Sequence, residues 1–204
     1  MIELYTTTTA NGYRASIMLE ECGLPYTYKY VRHREGETLT PEFLKLSPLS
    51  AVPVIVDHEG PGGKPFTLAQ SAAIALYLAE KSGKFLPKDP AKRWTTMQWL
   101  MHVMHDHAGT NTNLVFLPQL PDKPEAAIKQ TEQRLVTYFS RVDRQLSQSE
   151  YIAGDLSVVD FALYPIIARR PHLLEPEGLN HLKRWRAQIA ARPGVVKGMS
   201  VPAV

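Results

Sequence analysis

The feature that most constrains this chain is a change of texture at Ser82-Gly83-Lys84-Phe85-Leu86-Pro87-Lys88-Asp89-Pro90. Before it, short extended stretches alternate with helical ones. After it, every periodic stretch is helical. A chain divided in this way builds two units, and 204 residues are enough to give each a core. The expected division is an α/β unit over 1–80, a linker over 81–88 and an all-helical unit over 89–204. The chain shows neither an internal repeat nor a low-complexity tract.

In the first unit, Ile2-Glu3-Leu4-Tyr5 alternates as a short strand, which Thr6 to Thr9 prolong. Asn11-Gly12 is a turn signal. From Arg14 the pattern is helical, with Ala15, Met18, Leu19 and Cys22 on one face and Gly23 as the stop. Tyr26 to Arg32 alternates again. This β-α-β order within about thirty residues predicts a parallel pair of strands with a right-handed crossover. Thr40-Pro41 opens a short helix, capped by threonine with proline at its first position. Residues 52–57 and 66–68 form a hairpin around Gly60 to Lys64. A strong helix then covers 70–81. Beyond the linker, helices are expected over 90–117, over 123–147, from Ser157, and over 179–192.

Bulk composition excludes several classes. Charged residues make up 21% of the chain and hydrophobic ones 44%, as in an ordinary globular protein. The 23 basic and 20 acidic residues are scattered, so nucleic acid is not an expected partner. One cysteine, Cys22, excludes an internal disulfide or dithiol. With no leader and no long apolar run, a cytoplasmic protein without a membrane partner is expected.

Three stretches carry a family resemblance: Ala51-Val52-Pro53-Val54-Ile55, Leu68-Ala69-Gln70-Ser71-Ala72-Ala73-Ile74 and Gly154-Asp155-Leu156-Ser157-Val158-Val159-Asp160. Together, in this order and spacing, they resemble the cytosolic glutathione S-transferase superfamily over nearly the whole chain. Arg192-Pro193-Gly194-Val195 resembles the usual ending of that family's last core helix. The resemblance implies a thioredoxin-like N-terminal domain with a mixed four-stranded sheet, followed by an all-α helical-bundle domain. It implies a homodimer with glutathione as co-substrate, and no metal is expected, since no second ligand cluster accompanies His102 and His105 in the sequence. The second partner is a small electrophile, in detoxification, or a mixed disulfide.

Residue by residue, the resemblance makes Val52-Pro53 a cis-proline loop whose Val52 backbone pairs with the peptide. Read in isolation, a trans proline opening an edge strand is the expectation. Gln70 and Ser71, at a helix start rich in free N–H groups, are implied to hold the γ-glutamyl end. Ser157 with Asp160 reads as a capping box with a structural role, and Pro165 is expected to kink its helix.

Thiolate is the reactive form of glutathione, so a donor is needed near the first helix. The Thr-x-Asn-Gly order of Thr9 to Gly12 resembles the bacterial nu class, which makes Thr9 and Asn11 the thiolate donors. Thr8 is the nearest competitor, Tyr5 reads as packed within its strand, and Cys22 reads as a small buried hydrophobe. Two departures stand out. Ala51 occupies a position usually basic, leaving His33 or Arg34 to clamp the glycyl carboxylate. The segment Gln98 to His107 is histidine-rich, so His105 or His107 is expected to line the electrophile pocket. A non-catalytic glutathione-binding module with the same fold is the alternative.

Overall fold

The computed structural model describes residues 1–175 and 178–203; Pro176, Glu177 and Val204, within the expected helical unit, lie outside them. The chain forms two compact units. One comprises Met1–Leu86 together with the residues from Ala191 onward, the other Pro87–Ala190.

The first unit holds a four-stranded mixed sheet in the order β2-β1-β3-β4. Strand β1 (Ile2–Thr6) runs parallel to β2 (Tyr26–Tyr30) and antiparallel to β3 (Val54–Asp57), which pairs antiparallel with β4 (Phe66–Ala69). Alternation explains β1: Ile2 and Leu4 are buried, while Glu3 and Tyr5 are half-buried. Helix α1 (Ala10–Cys22) packs against α3 (Ser71–Ser82), with Ile17, Met18, Ile74 and Leu78 fully enclosed. The short α2 (Pro41–Leu46) is capped by Thr40, whose hydroxyl accepts from Phe43 N–H at 3.3 Å, with proline at the helix start as expected.

Helix α1 begins four residues earlier than expected. Thr9 is its N-cap, accepting from Gly12 N–H at 3.2 Å, so Asn11-Gly12 lies in the first turn of the helix instead of forming a separate bend. Glycine is required at position 12 by close approach. A Cβ there would lie 2.1 Å from the Thr7 carbonyl oxygen.

The last residues also depart from expectation. The helix expected over 179–192 is α8 (Asn180–Ala190), and Pro193 opens a further helix, α9 (Pro193–Gly198), that packs on α1. Gly198 lets the two helices meet closely, since a Cβ there would lie 2.5 Å from Ile17 Cα. Ser16 Oγ donates to Gly198 O at 2.7 Å, and Arg192 forms a two-point pair with the nearly buried Glu21. These contacts group the C-terminal stretch with the sheet, although it follows the helical unit in sequence.

The second unit contains α4 (Pro90–His102), α5 (Ala108–Phe116), α6 (Glu125–Leu146), α7 (Val158–Ala168) and α8. Helix α7 is apolar on all sides and almost wholly buried, so it forms the core of the unit. Its capping box is present. Asp160 Oδ2 accepts from Ser157 N–H at 2.9 Å, and Oδ1 accepts from Ile152 N–H and from Trp185 Nε1. Pro165 lies inside α7, which continues to Ala168. In place of one helix over 90–117, a π-helical turn at Val103–His107 separates α4 from α5. None of the described helices is long and apolar enough to cross a membrane.

Candidate functional site

Strand register brings two of the family stretches, the ones at Val52-Pro53 and Gln70-Ser71, to the same end of the sheet as Thr9 to Gly12. Tyr5 of β1 faces Val54 of β3, and Val54 faces Ala69 of β4. The chain leaves β1 there through Thr7 to Thr9 into α1, enters β3 from Val52-Pro53, and leaves β4 through Gln70 into α3. Strand β2 ends alongside, Tyr30 facing Thr6. Thr7 Oγ1 then lies 3.3 Å from His33 Nδ1 in the loop that follows.

At the start of α1, Thr9 and Thr8 are half-buried and Asn11 is exposed. The Thr9 oxygen accepts from Gly12 N–H, which leaves its O–H hydrogen to donate elsewhere. Tyr13 N–H goes to Thr9 O, so the N–H groups of Ala10 and Asn11 are the ones left at the positive end of the helix. Tyr5 is engaged away from this point, its hydroxyl donating to Glu3 Oε2 at 3.2 Å and accepting from Lys29 Nζ at 3.1 Å.

The Val52-Pro53 bond is cis, as the resemblance implied. Among the described residues, no backbone hydrogen bond involves Val52, so its N–H and C=O remain available to an added peptide backbone. Gln70 carries φ 74° and ψ 115°, a strained conformation for a residue with a Cβ. It is exposed, whereas Ser71 is 3% exposed. Gln70 makes no side-chain cap, so the first N–H groups of α3 stay open to an anion. Ser71 is therefore the first helical residue, not the cap.

One residue here escaped the sequence reading. Arg14 is 1% exposed, and its Nη1 donates to Asn11 Oδ1 and reaches Ser71 Oγ at 3.5 Å. Burial draws its pKa down to about 10, so it is still a cation at neutral pH. A signal was present. Arg14 stands one helical turn before Met18, on the apolar stripe of α1, where a charge is out of place.

The remaining expectations divide. Arg34 is exposed and His33 half-buried, the latter with its pKa lowered by burial and by the neighbouring Arg34. Ala51 N–H is held by Ser47 Oγ at 3.4 Å. Cys22 is enclosed, its thiol directed at Leu78 O at 3.6 Å and its pKa raised by burial, consistent with a packing role. In the second unit the two histidines differ in setting, and His107 is the enclosed one. It is fully buried, stacked on Phe139 and 4.8 Å from the His102 ring. His105 is 90% exposed and bonded to Asp106. His107 ends the π turn, and His102 borders a groove of about 420 Å³ with Trp99, Arg141 and Arg144. No group of metal-ligating side chains converges among the described residues.

Comparison with known proteins agrees with this geometry. Residues 10–81 match the family model described as the glutathione S-transferase N-terminal domain, and residues 93–193 the corresponding C-terminal domain. The chain is 33% identical to the Escherichia coli disulfide-bond oxidoreductase YfcG, over 95% of this chain and 92% of that protein. It is 31% identical to the E. coli disulfide-bond oxidoreductase YghU, over 98% and 74%. A crystal structure of a glutathione transferase family member from Pseudomonas fluorescens, with two glutathione molecules bound, superposes with a TM-score of 0.92 at 33% identity, covering 98% of this chain and 93% of that one.

Proposed function

The chain belongs to the glutathione S-transferase family, and on that footing we propose that it binds glutathione at this end of the sheet, stabilises its thiolate and reduces glutathione mixed disulfides. The observation that carries the reading is the register row Tyr5–Val54–Ala69. It gathers at one end of the sheet two helix N-termini, two hydroxyls and a cis-proline loop whose Val52 backbone has no backbone partner among the described residues. In this reading, Val52 pairs with the peptide backbone and the α3 start with Gln70 and Ser71 takes the γ-glutamyl carboxylate. Thr9 O–H and Asn11 then donate to the sulfur at the α1 start. His33 or Arg34 meets the glycyl carboxylate.

The chemistry needs no cysteine in the protein, because the ligand brings the sulfur. Glutathione thiolate attacks the mixed disulfide, an S–S bond forms as the old one breaks, and the displaced thiolate takes up a proton. When the sulfur attacked is that of the glutathionyl half, the products are glutathione disulfide and the freed thiol. Lowering the attacking thiol by about two pKa units requires about 2.7 kcal/mol of preferential stabilisation of the anion. Charge-assisted hydrogen bonds and a helix dipole supply that order of energy. The names of the two E. coli relatives support disulfide exchange over conjugation, and the second glutathione in the P. fluorescens structure supports room for two thiols.

A direct assay compares a small glutathione mixed disulfide with an aryl halide as substrate. Turnover of the disulfide is expected to dominate. Thr9→Ala and Asn11→Ala should each lower kcat by more than they raise the glutathione KM. Turnover of neither substrate, with glutathione still bound, would favour the binding-module alternative, to which Ala51 gives some support. The same reading takes the protein to be a homodimer in the cytoplasm. Trp94 and Met101, 74% and 51% exposed and seven residues apart on α4, would serve as contact residues. Light scattering that returns the mass of a single chain contradicts the dimer.

A further inference from the structure

We propose that Arg14 is a positioning residue that turns Asn11 and Ser71 into hydrogen-bond donors toward glutathione. The inference rests on the function proposed above and adds a residue that does not itself touch the ligand.

Polarity decides which way each of these groups turns. A carboxamide can present either its oxygen or its NH2, and a hydroxyl can either donate or accept. A guanidinium only donates. The Asn11 atom facing Arg14 Nη1 must therefore be Oδ1, which turns the Asn11 NH2 away from Arg14 on a residue that is exposed as a whole. By the same logic the Ser71 oxygen, 3.5 Å from Nη1, accepts from Arg14, and its hydrogen is left to donate outward. One buried cation thus holds two ambivalent side chains in a single sense, on the first turns of two different helices. The groups the site is proposed to meet are both anions, a thiolate at Asn11 and a carboxylate at Ser71. An acceptor turned toward either would repel it.

Arg14 is also well fixed for the task. Its side chain is almost wholly enclosed, in the helix whose entry Thr9 caps and Gly12 presses against the Thr7 carbonyl. The burial that leaves it charged also removes the water that would otherwise screen it from the site.

Two substitutions separate this role from simple packing. Lysine keeps a donor-only cation, whereas glutamine can accept from the Asn11 amide and let it turn over. The pH dependence of kcat/KM for glutathione is measured on wild type, Arg14→Lys and Arg14→Gln, with circular dichroism and unfolding midpoints alongside. In folded Arg14→Gln, the thiol limb is expected to move up by about one pH unit, a tenfold loss at low pH. In Arg14→Lys it should stay near wild type. Limbs that move equally in both variants, or in neither, overturn the inference.

Should both variants fail to fold, wild-type protein still decides. The chain has four asparagines, so selective 15N labelling gives four side-chain amide pairs, with Asn11 assigned from Asn11→Ala. The Asn11 NH2 resonances are expected to track the titration of bound glutathione. An Asn11 NH2 that stays still while the thiol titrates overturns the inference. A wild-type limb at the pKa of free glutathione would instead remove the proposed function, whatever the Arg14 variants do.

Discussion

At the scale of single residues, the site joins one strained residue to several ordinary ones. Gln70 sits at φ 74° and ψ 115°, a conformation that costs about 1–3 kcal/mol for a residue with a Cβ. Such strain is invisible in Leu68-Ala69-Gln70-Ser71, which reads as an unremarkable helix entry. Glycine adopts positive φ without that cost. Gln70→Gly is therefore expected to raise the denaturation midpoint while weakening glutathione KM, and a lowered midpoint would show that the side chain stabilises the fold more than its backbone strains it. Thr9, Asn11 and Ser71 were singled out in the sequence only through the family resemblance, since such residues at a helix start read equally well as a plain turn or cap. Arg14 was not, because a buried arginine takes its meaning from contacts with residues three and fifty-seven positions away.

Elements follow the sequence where periodicity and caps agree, as in α2 and α7, and depart where the backbone leaves the α-helical repeat. The π turn at Val103–His107 shows the second case. His102 Nδ1 bonds Asp106 Oδ2 at 2.5 Å, and His107 Nδ1 approaches His102 O at 3.4 Å. No apolar pattern encodes that turn. At its end lies a buried His107, facing His102, Asp106 and Tyr138, whose pKa burial lowers to about 4. The folded state therefore resists protonating a group that the unfolded chain protonates near pH 6.5. Its contribution to stability is complete above pH 6.5 and is lost as pH falls through about 4, amounting to about 3 kcal/mol. Asp160, raised to about 6 by full burial, acts in the opposite sense, so the variant must be compared with wild type at each pH. His107→Phe keeps the stacking on Phe139. Its unfolding free energy, measured in denaturant at pH 7 and pH 4, should fall less on acidification than that of wild type by about 3 kcal/mol. Equal losses would show that His107 is protonated as readily folded as unfolded.

At the scale of the whole molecule, the change of texture after Ser82 was a sound guide to two units. The C-terminal stretch was the exception. Its return to α1 rests on Gly198 against Ile17 and on Arg192 against Glu21, pairs separated by most of the chain. Local pattern cannot announce a contact whose two halves lie so far apart. The site was legible as three separate motifs, and only the sheet register joined them into one edge. The central claim is that this edge makes glutathione acidic. Titrating the thiolate absorbance of glutathione bound to the wild-type protein tests it most directly. The expected result is a thiol pKa about two units below the ordinary value of ~8.5. A bound thiol that titrates like free glutathione would contradict it.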